Sequence, residues 1–117
     1  MKLEVGQFAR LKSGYICKII NINDFREPNM KYGVEANYLK DVMFIGDEDI
    51  LKASHNIIDL IEVGDYVNGC KVIDIVENDI YISDYYAESY IGIVKVKDIK
   101  SIVTKEQMEQ MAYKVGE

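Results

Sequence analysis

The sequence predicts a mainly β protein, with two small β units in tandem related by internal duplication and one C-terminal helix after them. Three observations predict it. Leu3 to Ala9 (LEVGQFA) reappears as Ile61 to Val67 (IEVGDYV) with an identical Glu-Val-Gly core, and Cys17 to Ile22 (CKIINI) reappears as Cys70 to Ile75 (CKVIDI). Short β-branched runs broken by Gly, Asn, Asp and Ser recur through both halves. Beyond Val103 the apolar residues change to helical spacing.

The repeat sets the domain organisation. The offset falls from 58 (Leu3 to Ile61) to 53 (Cys17 to Cys70) and to 49 (Asp49-Ile50 to Asp98-Ile99). It changes only between matches, so the second copy has the shorter connections, because loops absorb insertions that strands do not. The expected units are 1–60, 61–103 and a helix over 104–117. At 117 residues, each copy lies near the lower size limit for independent folding, and a shared core is expected.

In the first copy, strands are expected over Gln7 to Leu11 and Tyr15 to Asn21, then Lys31 to Ala36, Asp41 to Ile45 and Leu51 to Ile57. Ile16, Ile20 and Ile22 fall on one face of the second strand, Cys17 and Ile19 on the other, so cover on both faces is expected. Asn23 to Asn29 (NDFREPN) holds the single proline and reads as a turn cluster. Gly46 to Ile50 reads as one tight helical turn, whose acids suit the unpaired N–H groups at its start. The second copy repeats the plan: Tyr66 to Asn68, Cys70 to Glu77, Ile80 to Ser83, Ile91 to Val96, a tight turn at Lys97-Asp98-Ile99, and Lys100 to Val103. Five short strands with a helical turn before the last resemble an SH3-like barrel, and the whole resembles two SH3-like barrels in tandem.

Thr104 with Gln107 three residues later is a capping box. Met108, Met111, Ala112 and Val115 follow at i, i+3, i+4 and i+7, an apolar stripe expected to dock on the β units. Lys114 and Gly116 mark the end.

Composition narrows the class. A chain 49% hydrophobic and 29% charged is globular in type. No apolar run approaches the roughly 18 residues of a membrane span, and the start lacks a signal-peptide pattern, so no membrane association and a cytoplasmic location are expected. Residues 1–60 carry eight Lys or Arg against nine Asp or Glu, and residues 61–117 carry six against eleven. No basic residue lies between Lys71 and Lys95, the wrong sign for a phosphate-binding surface.

Catalytic signatures are absent, and no catalytic residue, metal site or cofactor is expected; the chain reads as non-enzymatic. Ser54 and His55 are adjacent on a strand and so point to opposite faces, which separates a nucleophile from its base. Cys17 and Cys70 have no ligand partners at zinc spacing and read as small buried hydrophobes. Asp47-Glu48-Asp49 lacks the ligand alternation of a calcium loop.

One stretch stands out. Tyr81, Asp84, Tyr85, Tyr86, Glu88 and Tyr90 place four of the nine tyrosines, interleaved with carboxylates, within ten residues. Tyrosine beside carboxylates is the composition of a recognition surface, and these six residues are the candidate partner-binding site. The alternative is that Tyr81 and Tyr90 cover the unit as cross-strand neighbours.

The segments Lys52 to Gly69 (KASHNIIDLIEVGDYVNG) and Lys97 to Val115 (KDIKSIVTKEQMEQMAYKV) resemble those of small phage- and prophage-encoded proteins of low-GC Gram-positive bacteria. The resemblance covers about half of the chain and implies an accessory protein that binds a host protein, host defence components included; the acidic balance of the chain makes a basic surface on that partner the expectation. It carries no residue-level role. The alternative class is a nucleic-acid or nucleotide-binding SH3-like module, since aromatic rings stack on bases.

Overall fold

The computed structural model describes residues 2–36, 40–83 and 90–112. They fall into two compact units, Met1–Leu60 and Ile61–Glu117. The protein is mainly β, with two five-stranded antiparallel sheets and one helix.

The first sheet contains β1 (Phe8–Leu11), β2 (Ile16–Ile22), β3 (Tyr32–Glu35), β4 (Met43–Ile45) and β5 (Ile50–Ser54), in the order β4-β3-β2-β1-β5. Ala9, Leu11, Cys17, Ile19, Tyr32, Val34, Ile45 and Ile50 form its buried cluster. Burying one such aliphatic side chain contributes about 2 kcal/mol before entropy is subtracted. The expectation that β2 buries both faces is corrected. Cys17 and Ile19 are buried, but Ile16, Ile20 and Ile22 are half-exposed, and a register shift between Ile19 and Asn21 breaks the alternation.

Two groups lock the start and end of this unit. Gly6, at φ +96°, turns the chain so that its N–H donates to the Ile19 carbonyl at 2.8 Å. Arg10 is fully buried and donates from Nη1 to the Leu60 carbonyl at 2.9 Å, tying β1 to the closing 3₁₀ turn Ile57–Leu60. The strand expected over Leu51 to Ile57 ends at Ser54, and the turn begins at Ile57.

The second sheet contains β6 (Tyr66–Val67), β7 (Cys70–Val76), β8 (Asp79–Ser83), β9 (Tyr90–Lys95) and β10 (Ile102–Val103), in the order β10-β6-β7-β8-β9. This is the order of the first sheet, strand for strand. Register agrees as well. Ala9 faces Cys17 and Ala53, as Val67 faces Cys70 and Ile102. Val34 faces Ile19 and Met43, as Ile82 faces Val72 and Gly92. The shift between Ile19 and Asn21 recurs between Val72 and Asp74. Gly64, at φ +100°, donates to the Val72 carbonyl at 2.9 Å, the counterpart of the Gly6 bond. Each unit also has a 3₁₀ turn before its last strand, Asp47–Asp49 and Val96–Asp98.

The units differ in the loop between their second and third strands. In the second unit it is two residues, with Glu77 at φ +54°. In the first it runs over nine, 23–31, and includes a 3₁₀ turn, Pro28–Met30. Arg26 holds this loop together, donating to Asn21 Oδ1 (2.6 Å), Met30 O (2.7 Å) and Lys31 O (2.9 Å).

The helix α1 (Lys105–Met111) begins with the expected capping box: Gln107 N donates to Thr104 Oγ1, and Thr104 N donates to Gln107 Oε1 at 2.9 Å. Buried Asp65 adds a second anchor, accepting from Lys105 N at 2.9 Å and from Glu62 N at 2.7 Å. The expected apolar stripe is corrected. Met111 is 74% exposed, Ala112 is exposed in an extended C-cap, and Met108 is half-buried. Val115, Lys114 and Gly116 lie outside the described residues.

Candidate partner-binding surface

Of the six candidate residues, the structure locates Tyr81 fully and Tyr90 by its backbone; Asp84, Tyr85, Tyr86 and Glu88 lie outside the described residues. Tyr81 sits mid-β8 between Ile80, which is fully buried, and Ile82. Period-two alternation therefore turns Tyr81 to the outer face. Its cross-strand neighbours are Asp74 on β7 and Ile93 on β9, both exposed. The row Asp74–Tyr81–Ile93 thus crosses three strands on one side of the sheet. Tyr90 opens β9 opposite Ser83.

The next row runs from Val76, 48% exposed, through Asp79 to Lys95. Lys95 Nζ pairs with Asp79, and that bond holds the ammonium above the ordinary lysine range. What the sequence did not reveal is Ile93, 42% exposed and in direct register with Tyr81. The strand was expected from the sequence, but only the strand register gave its neighbour.

The first unit holds Phe44 where the second holds Ile93, each facing the middle residue of the preceding strand, Gly33 or Tyr81. Phe44 is also 42% exposed, but the Arg26 guanidinium lies 4.8 Å from its ring centre. A Cβ on Gly33 would stand 3.3 Å from Val42 and 3.2 Å from the Asn21 Cβ, so this face is filled by its neighbours. Tyr81 occupies the corresponding space in the second unit.

The other candidate chemistry resolves into local contacts. Ser54 Oγ donates to Asp59 Oδ2 at 2.6 Å, whereas His55 Nε2 meets Glu4 Oε2 at 2.9 Å, so the hydroxyl and the imidazole have different partners. Asp47 accepts from the Tyr32 hydroxyl (2.6 Å) and Asp49 from Gly46 N (3.0 Å), both serving the turn they sit in. Burial pushes the Cys17 thiol up to about 11, away from nucleophile chemistry. Among the described residues no group of His, Cys, Asp and Glu is placed to hold a metal ion. A cleft of about 470 Å³ in the first unit is lined by Phe8, Ile16, Lys18, Glu35, Asp41 and Ile57 among others. No helix among the described residues is long and apolar enough to cross a membrane.

Compared with protein-family models, with curated proteins and with solved structures, the chain matches none.

Proposed function

We propose that the chain is a tandem duplication of an SH3-like unit and acts as a non-enzymatic protein-binding module. Its contact surface is the outer face of the second sheet around Tyr81, together with Asp84, Tyr85, Tyr86, Glu88 and Tyr90. The single observation that supports the reading most is the row Asp74–Tyr81–Ile93, a half-buried aromatic ring between an exposed acid and an exposed aliphatic side chain. Tyrosine supplies large contact area at small entropic cost, and flanking carboxylates favour a basic partner. In the phage setting that the resemblance implies, the partner is a host protein, and inhibition of a host defence component is the use this binding would have. The net charge of −6 disfavours a nucleic-acid partner.

The test has two stages. A host protein captured on the immobilised chain is purified, and its affinity is measured for the native chain and for Tyr85→Ala with Tyr86→Ala. Loss of about 2 kcal/mol or more with an unchanged melting temperature supports the surface. Affinity untouched by the double variant, or retention of the chain on single-stranded nucleic acid, overturns it.

A further inference from the structure

β6 and β7 are joined by two residues, Asn68 and Gly69, at φ +52° and +83°. This is the tight hairpin turn that an Asn-Gly pair favours. Both residues are exposed, and a Cβ on Gly69 would meet nothing within 4 Å. The turn also fastens the end of the second unit. Asn68 Oδ1 accepts from Lys100 N at 2.7 Å and from Ser101 N at 3.1 Å, while its Nδ2 donates to the Asp98 carbonyl at 2.9 Å. Its backbone N donates to the Ser101 carbonyl at 3.0 Å. Two N–H donors on one side and a carbonyl on the other fix which way the carboxamide faces. β10 itself pairs with β6 through Ile102 and Val103, so the Asn68 clip is a large part of what holds the segment leading into it. In the first unit the matching turn runs over four residues and reaches the corresponding segment through the backbone, Lys12 N donating to the Asp49 carbonyl at 2.9 Å.

Asn68-Gly69 is the one Asn-Gly pair in the chain. We propose that it is a site of spontaneous deamidation, a reaction that the clip holds back while it is closed and that destroys the clip once it has occurred. The Gly69 backbone nitrogen forms a bond to Asn68 Cγ and the Cγ–Nδ2 bond breaks. The Gly69 amide proton passes through solvent to the departing nitrogen, so ammonia leaves and a succinimide ring remains. Water then opens either carbonyl of the ring and leaves aspartate or isoaspartate at position 68, with nothing oxidised or reduced. Glycine suits the attacking position because no Cβ crowds its nitrogen. The Gly69 N–H has no acceptor among the described residues, so the nucleophile is uncommitted. Cγ is restrained instead, because the oxygen and nitrogen it carries are both held by residues 98–101 and must let go before the carboxamide can turn back on its own chain. Reaction therefore proceeds from a locally opened state, and a two-residue edge strand such as β10 belongs to the part of a fold that opens most readily. Neither product has the Nδ2 donor. Aspartate sets a carboxylate against the Asp98 carbonyl, and isoaspartate reroutes the main chain through the side chain and lengthens the turn. In either case the clip does not close again, and β10 is left to its ladder with β6 and to the Asp65 anchor behind it.

The full chain is incubated at mildly alkaline pH, with and without denaturant, and followed by peptide mass spectrometry that separates aspartate from isoaspartate. Position 68 should convert before any other asparagine. Asn78, in the two-residue turn between β7 and β8 but followed by Asp79, is the internal control. Conversion should be at least about tenfold slower in the folded chain than in denaturant, because the folded chain must first open the clip. Hydrogen exchange at the Lys100 and Ser101 amides should rise with the fraction converted. Asn68→Asp should raise the same exchange without incubation, and if that variant does not fold, the aged native chain decides alone. Earlier conversion at another asparagine, equal rates in folded and denatured chain, or a converted chain whose Lys100 and Ser101 amides stay protected would each overturn the proposal.

Discussion

The two units share strand order, register, bulge position and glycine turn, yet they surround the same sheet position differently. In the first, a nine-residue loop containing Arg26 lies beside a three-residue edge strand, and its guanidinium stands 4.8 Å from the Phe44 ring centre. In the second, a two-residue turn takes the place of that loop, and the edge strand, six residues long, carries Ile93. Both side chains are nevertheless 42% exposed. A sheet scaffold therefore fixes where a side chain stands, whereas loop length decides which neighbours it has. Three experiments probe how far the two units differ.

The largest difference is expected between the equivalent cysteines. Cys17 is buried against the Ala9 carbonyl, and burial moves its thiol from 9.0 to about 11; Cys70 is half-exposed. A shift of that size lowers the thiolate fraction near neutral pH about a hundredfold, before any barrier to access. Thiol-specific labelling of the native protein should therefore modify Cys70 and spare Cys17 by at least that factor, with both reacting in denaturant. The sign of the pH effect follows. A thiol held neutral by folding stabilises below the unfolded value and loses that contribution as pH rises toward 11. Equal labelling of both cysteines would mean that the first core opens as readily as the second.

Next is the loop that separates the two designs. Gly46 and Lys95 occupy matching places, each just before the 3₁₀ turn. A Cβ on Gly46 would stand 2.4 Å from the Pro28 carbonyl oxygen and 2.7 Å from Asn29 Cα, whereas the second unit carries a whole lysine there because no such loop approaches. Gly46→Ala should cost about 2 kcal/mol in denaturant unfolding, since backbone rather than a flexible side chain must move. A change under about 0.5 kcal/mol would show that the 23–31 loop shifts aside freely.

Much of the fold was legible because the repeat marks the same glycine turn and the same core position in each unit. The Glu-Val-Gly and Cys-Lys segments fall where Gly6 and Gly64 turn the chain and where Ile19 and Val72 are fully buried. Helical-turn positions followed from Asp49-Ile50 and Asp98-Ile99 for the same reason. The burial of β2 was less legible, since the register shift after Ile19 is a backbone event that periodicity does not encode. For the candidate site, alternation predicted that some rings would face solvent; Tyr81 takes an outer position on its strand but is half-buried, and the side chains of Tyr85, Tyr86 and Tyr90 lie outside the described residues. Its pairing with Ile93 depends on which residues the β8–β9 connection places opposite each other, and that connection contains Asp84, Tyr85, Tyr86 and Glu88.

The smallest expected effect lies in α1, where helical spacing and burial part company. Amphipathic spacing shows that a helix could bury one stripe, but the opposing surface is supplied by the rest of the chain. Here the helix is anchored at its start instead: Thr104 is fully buried, Asp65 accepts from Lys105 N, and Lys105 Nζ pairs with Glu62 at 2.7 Å. The matching place in the first unit is held by the exposed contact between His55 and Glu4, and the 3₁₀ turn Ile57–Leu60 follows where the second unit has an α-helix. Thr104→Ala should therefore cost about 1 kcal/mol through the lost cap. Met111→Ser, at a side chain 74% exposed, should stay within about 0.5 kcal/mol in the same unfolding experiment. If Met111→Ser instead costs more than Thr104→Ala, the helix is held along its length and the anchoring at Asp65 is secondary.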